Sequence, residues 1–234
     1  MRFSTFRNFY AGLIFLFASS SVAFATPAIT CHCFTDHSYN PDNPTVADPY
    51  FLATTQNSFF AAVFDVEKKS IVIKKQKGIS ADDLWIAYWL GEKFGRDQEA
   101  LLQDRKSKGN WRQVVAPLAI SGKSLGKRVA TALKANATDA QLAIAVVDDL
   151  LLRYRLHDED KLAALRQAGA SSQEMILTGL IAAKTHQSAP LLYREVLGGG
   201  ASWGALLQRA KIEPAEIQDE IAVLVKTSKD VGHN

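Results

Sequence analysis

Seven residues near the N-terminus hold the chain's densest set of reactive side chains. Cys31-His32-Cys33-Phe34-Thr35-Asp36-His37 gathers two thiols, two imidazoles and a carboxylate, and Cys31 and Cys33 are the only cysteines. Thiolate and imidazole are the natural ligands of Cu(I) and Zn(II), and close spacing lets one loop supply several of them. In that reading Cys31, Cys33 and His37 hold the ion. The gap after Cys33 lets the chain turn back, whereas His32, between the thiols, points away from a shared metal. Thiol redox at Cys31-His32-Cys33 is the related chemistry. A disulfide between Cys31 and Cys33 is a second reading, since an exported chain meets an oxidising compartment. Such a bridge closes a small strained ring and is comparatively reducible. Burial of the pair against the rest of the protein is the third.

Other reactive patterns fail letter by letter. Gly122-Lys123-Ser124 resembles the end of a phosphate loop, but that motif needs Gly where Pro117 stands. Gly198-Gly199-Gly200 followed by Trp203-Gly204 lacks the third glycine of a dinucleotide fingerprint. Neither a Gly-x-Ser-x-Gly elbow nor a His-Glu-x-x-His pair occurs. Asp158-Glu159-Asp160, beside His157, lacks the alternating ligands of a calcium loop and reads as a loop opening a helix at Lys161. No catalytic residue is assigned and no cofactor is required.

The elements that must carry these residues follow from patterning. Arg2 and Arg7 precede an apolar run from Phe9 to Phe17 and a small-x-small site at Ala23-Phe24-Ala25, so residues 1–25 read as a secretory signal. The run is about half of what a spanning helix needs. Cleavage there predicts a periplasmic or secreted chain with no transmembrane segment; a retained anchor is the alternative. It also removes two arginines and no acid, leaving 25 basic against 24 acidic side chains. That balance gives no global reason to bind nucleic acid, and none is expected.

Residues 26–47, with Pro27, Pro41 and Asn43-Pro44, predict a loop-rich Cys/His segment. From residue 48 to 228 helical spacing takes over, with a tail over residues 229–234 expected to fray. Stripes such as Leu84, Ala87, Tyr88 and Gly91, or Met175, Ile176, Gly179, Leu180 and Ala183, mark inward faces.

A weak repeat organises this body. Lys77-Gly78-Ile79-Ser80-Ala81-Asp82-Asp83-Leu84, Ala168-Gly169-Ala170-Ser171-Ser172-Gln173-Glu174-Met175 and Gly199-Gly200-Ala201-Ser202-Trp203-Gly204-Ala205-Leu206 share one order. Degenerate copies start at Gly109-Asn110-Trp111 and Asn136-Ala137-Thr138. In each, Gly or Asn ends one helix and Ser, Thr or Asn caps the next. Asp83, Gln113, Gln141 and Glu174 sit at capping-box spacing. The predicted fold is all-α, about ten short helices in stacked helical hairpins with a period near 30 residues. Trp111 and Trp203, each one residue after a cap, are expected to pack hairpin corners.

Cys31-His32-Cys33-Phe34, Ala53-Thr54-Thr55-Gln56-Asn57-Ser58-Phe59, Asp83-Leu84-Trp85-Ile86-Ala87-Tyr88-Trp89 and Gly200-Ala201-Ser202-Trp203-Gly204 together resemble a family of exported bacterial helical proteins that has no assigned activity. The resemblance implies export and an all-helical body, and carries no catalytic residue across. The expected function is a non-catalytic binding or interaction module with a protein partner. The alternative is a soft-metal carrier or thiol-redox protein working through Cys31-His32-Cys33.

For the carrier, reduced mature protein binds Cu(I) or Zn(II). Cys31→Ser and Cys33→Ser each lower affinity strongly, His37→Ala weakens it and His32→Ala is nearly silent. Metal analysis is the check: less than about 0.1 equivalent bound at micromolar supply leaves only the disulfide and burial readings.

Overall fold

A computed structural model describes residues 34–118 and 125–231; residues 1–25, Cys31 and Cys33 lie outside the described residues, as does the Gly122-Lys123-Ser124 string. The described chain is all-α, with no strand among the described residues. It begins with a lead over residues 34–47, built from turns such as Val46 N–H to Asn43 O at 3.2 Å, as the Pro and Asn content predicts.

Twelve helices follow, two more than patterning suggests. They are α1 (Asp48–Phe64), α2 (Lys68–Gln76), α3 (Ala81–Phe94), α4 (Gln98–Lys108), α5 (Trp111–Val115) and α6 (Lys127–Lys134). Then come α7 (Asp139–Arg153), α8 (Glu159–Gln167), α9 (Ser172–Thr185), α10 (Ala189–Leu197), α11 (Trp203–Arg209) and α12 (Ile217–Val231). A 3-10 turn, Ala116–Leu118, continues α5.

All five predicted caps are present. The side chains of Ser80, Asn110, Thr138, Ser171 and Ser202 accept the backbone N–H three residues on, at the starts of α3, α5, α7, α9 and α11. The capping box closes fully at Thr138 with Gln141 and at Ser171 with Glu174. Asp83, one methylene shorter than Glu, accepts from the Ser80 hydroxyl at 2.8 Å instead. The acidic run also resolves differently from the predicted opening at Lys161. Asp158 is itself the N-cap, and α8 starts at Glu159, because a carboxylate at that position takes the Lys161 N–H at 2.8 Å.

Stacking of successive hairpins is not confirmed by the packing. The centre is α1, which lies along α12 and against α2, α3, α9 and α11. Elements far apart in sequence therefore meet at one helix. Phe59 and Phe60 of α1 pack with Trp85 of α3, and Phe60 also meets Tyr88 edge-on at 4.9 Å between ring centroids. A second layer sets α7 against α3 and α6, while α10 bridges α8 and α9. The predicted stripes are buried, with one correction: Ala183 is exposed and Ile181 takes the inward place. The tail also differs, since α12 runs to Val231. The Ser228 hydroxyl reaches both Leu224 O in its own helix and Tyr154 O, at 2.6 Å, after α7.

Three short helices are held at their starts by a carboxylate from a longer one. Asp48, in the first turn of α1, accepts the N–H groups of Trp203 (3.2 Å) and Gly204 (2.9 Å) at the start of α11. Asp139 of α7 accepts the Trp111 N–H at 3.1 Å at the start of α5. At α6 the N-cap is Gly126, with no side chain to offer, and the amides of Arg128 and Val129 favour the charged form of Asp149 of α7. A Cβ on Gly126 would lie 1.9 Å from the Asp149 carboxylate, so that approach requires glycine.

Both corner tryptophans are buried, as predicted, and use this device with their backbone N–H. The indole of Trp111 adds a bond to Asp83 Oδ1 at 2.7 Å, while Trp203 stacks on Tyr193 with ring centroids 6.4 Å apart. Burial pushes the Asp48 carboxyl up from its ordinary value, against the pull of its two amide donors. Asp48→Ala leaves those two N–H groups without an acceptor at a part-buried corner. It is expected to cost about 1–3 kcal/mol in urea unfolding, with α11 the first element to lose hydrogen-exchange protection.

Candidate functional site

The middle of α1 sets the site. Thr54, Thr55, Gln56, Asn57 and Ser58 are all buried, none more than 6% exposed. Five consecutive residues sweep more than one helical turn, so α1 is enclosed on every side here. Polar side chains in that position need internal partners, since burying one without a hydrogen bond costs a kcal/mol or more.

Most find them on flanking helices. The Thr55 hydroxyl bonds back to Phe51 O at 2.7 Å. Lys68 Nζ of α2 reaches Thr54 Oγ1 at 2.6 Å, and Lys75 Nζ reaches Asn57 Oδ1 at 2.6 Å and Gln56 Oε1 at 3.4 Å. Gln173 Nε2 of α9 closes on the same Gln56 oxygen at 3.0 Å. Ser58 Oγ has no hydrogen-bond partner.

The α2 helix suits this role because it is one-sided. Ile71 and Val72 are buried, although β-branched residues favour strands, and Lys68, Lys69, Lys74 and Lys75 flank them with no acid between. Lys74 leans on Glu99 of α4; burial and the neighbouring Lys77 hold its ammonium below the usual lysine value.

The polar row opens to solvent at one end, in a recess of about 530 Å³. Thr54 and Val72 form its floor; Lys68, Lys69, Tyr50 and Gln218 of α12 form its walls, and His37 of the lead stands at its edge. His37 is exposed, and its ring lies 4.5 Å from that of Tyr50 between centroids. The Phe34 ring meets Tyr50 edge-on at 5.9 Å. The lead is fastened further along at Tyr39, which packs so closely on Gly204 that a Cβ there would sit 2.8 Å from the Tyr39 ring.

Of the sequence-predicted site residues, the structure therefore places His37 at this recess. Cys31 and Cys33 lie outside the described residues, although Cys33 is bonded directly to Phe34. Among the described residues no group of three or more His, Cys, Asp and Glu is arranged to hold a metal ion. The row from Thr54 to Ser58 was not assigned a site from sequence. Its signal is an unbroken polar run from Thr54 to Ser58, set between Ala53 and Phe59 with no Gly or Pro in it.

The buried histidine has a structural place. His157 Nε2 lies 2.8 Å from Met175 O, and a carbonyl only accepts, so Nε2 carries the proton. Nδ1 is then a bare lone pair, buried with no hydrogen-bond partner. Leu156 and Gly179 wall the ring; Asp158, Lys161 and Asp148 are the charges that act on it. Burial outweighs the Met175 contact and holds the imidazole below its ordinary 6.5.

No protein-family model, curated protein or solved structure matches the chain.

A histidine held neutral stabilises the fold above 6.5, and that contribution is lost as pH falls from 6.5 through the lowered folded value. Asp48, Asp82 and Asp149, raised by burial, carry the opposite sign, each favouring the fold as it is protonated. His157→Gln keeps a donor for Met175 O and removes the proton site. Urea midpoints at pH 7.5 and 5 are expected to fall less in the variant than in the parent, the loss being bounded by about 1.4 kcal/mol per pH unit.

Proposed function

We propose that this is an exported, non-catalytic binding module that takes an acidic segment of a protein partner at the recess between the lead, α1 and α2. One observation supports the reading above others: Lys68 is held over the buried row of α1 by its 2.6 Å bond to Thr54, at the wall of a recess that Lys69 also lines. A cation fixed before binding spends less side-chain entropy on meeting a carboxylate than a free surface lysine does. Tyr50 and His37 add flat, partly polar surface of the kind that covers a peptide backbone. Among the described residues no helix is long and apolar enough to cross a membrane.

A second reading keeps the N-terminal segment. Phe34 and His37 both rest on Tyr50, so Cu(I) or Zn(II) taken by Cys31, Cys33 and His37 sits at the edge of the same recess. Thiolates then make the segment a carrier, and the lysine wall faces whatever protein delivers or accepts the ion.

The two readings separate by anisotropy with a fluorescein-labelled peptide of about eight Asp and Glu residues, measured without metal at low and physiological salt. Binding is expected to weaken with salt. It should fall about tenfold in Lys69→Glu, an exposed substitution that leaves the core alone, and similarly in Lys68→Met. An unchanged affinity in Lys69→Glu overturns the recess. Equal affinity for a random DNA duplex overturns the protein-partner reading.

A further inference from the structure

A second cavity lies between α6 and α7, and it differs in chemistry from the lysine-walled recess. Its volume is about 590 Å³, in the range that encloses a small organic molecule. The floor is aliphatic, made by Ala132, Ile144 and Ala145. Ile144 is 41% exposed, one of six large apolar side chains so uncovered among the described residues, and it is the one that lines this cavity.

The walls carry both signs of charge. Arg128 and Lys127 stand on α6, Asp149 and Asp148 on α7. Three of these four charges are held before any ligand arrives. Asp148 is bound by Arg166 Nε (3.0 Å) and Nη2 (2.6 Å), and Arg166 is itself fastened to Ala170 O and the Ser172 hydroxyl. Asp149 is wedged beside Gly126. Arg128 is tied to Glu159 at the start of α8 through Nη2.

Two atoms of this set are left over. Arg128 Nε, a donor, and Asp149 Oδ2, an acceptor, are both buried, and neither has a hydrogen-bond partner. Native proteins leave few such atoms, and here one of each kind belongs to a residue that lines the same cavity. Burial raises the Asp149 carboxyl, while Arg128 favours its charged form, so an added positive charge nearby is welcomed.

A ligand that meets this wall pattern carries a positive and a negative end and an aliphatic body. We propose that the α6–α7 cleft binds a small aliphatic zwitterion, an amino acid or dipeptide, with its ammonium toward Asp149, its carboxylate toward Arg128 and Lys127, and its side chain on Ile144. The inference stands on the cavity alone and does not depend on the lysine recess. Cations only, or anions only, would leave one wall of fixed charge without a complement. An uncharged aliphatic molecule would leave both.

The test is a two-dimensional amide NMR titration of the full-length protein with four probes: L-leucine, L-leucyl-L-leucine, isoamylamine and isovalerate. Leucine or its dipeptide is expected to shift the Ile144 and Ala145 amides saturably, and the singly charged probes to bind about tenfold more weakly. Asp149→Asn and Arg128→Gln should each weaken binding by a similar factor. Ile144→Glu, at an exposed site that leaves the fold intact, should abolish it even where the charge variants fail to fold. No saturable shift with either zwitterion up to about 10 mM overturns the proposal. So does isoamylamine binding as tightly as leucine, or retention of binding in Ile144→Glu.

Discussion

A helical turn with no solvent face must find partners for every polar group it carries, and in this protein the middle of α1 is that turn. It runs from Thr54 to Ser58 in a helix packed against α2, α3, α9, α11 and α12, and four of its five side chains have hydrogen bonds. The neighbours are constrained in return. Lys68 and Lys75 must face inward from α2, and Gln173 must sit in the first turn of α9 at the height of Gln56. Leucines in the same places would tolerate small shifts of one helix along another, whereas a lysine reaching an amide oxygen does not. The polar row thus fixes the heights of α2 and α9 on α1, and with them the recess that Thr54 floors.

The second organising constraint is the set of N–H groups that every helix leaves unpaired at its start. Side chains within the same strand of sequence answer it at Ser80, Asp97, Asn110, Thr138, Asp158, Ser171 and Ser202. Aspartates on other helices supplement it at α5 and α11, which are five and seven residues long. Helices that short have little stability of their own. A carboxylate from α1 or α7 serves them twice, as an acceptor and as a negative charge at the positive end of the helix. A cap that comes from elsewhere in the fold also fixes where the short helix lies, which a local cap does not.

These two constraints explain what patterning reveals and what it hides. The five caps, the two corner tryptophans and the all-helical class were legible, because each depends on residues within four positions of one another. The count of helices was less so, since α5, at five residues, is too short to show a period. The row from Thr54 to Ser58 gave no sign of its burial, because nothing within the α1 segment says that other helices will cover it. Asp48, Asp139 and Asp149 look like ordinary first-turn or surface acids until the helices they face are in place. Of the Cys31, Cys33 and His37 set, His37 was placed at a recess, but the lysines and Tyr50 that form its wall lie on α1 and α2 and carry no sequence link to it. Ala183 shows the limit of a periodic stripe: at the end of α9 the inward face runs out.

The position of α12 has a consequence for the order in which the molecule can be assembled. Among the described residues the first helix packs along the last, so α1 emerges early from any machine that releases the protein from its N-terminal end and then waits. Until α12 arrives, the side of α1 against which it packs is hydrated. That hydration is protective: an intermediate whose exposed central helix carries threonine, glutamine, asparagine and serine is less adhesive than one presenting an unbroken apolar surface. The groups that fix helix heights in the finished protein are therefore the same ones that reduce the apolar surface of the helix while it waits.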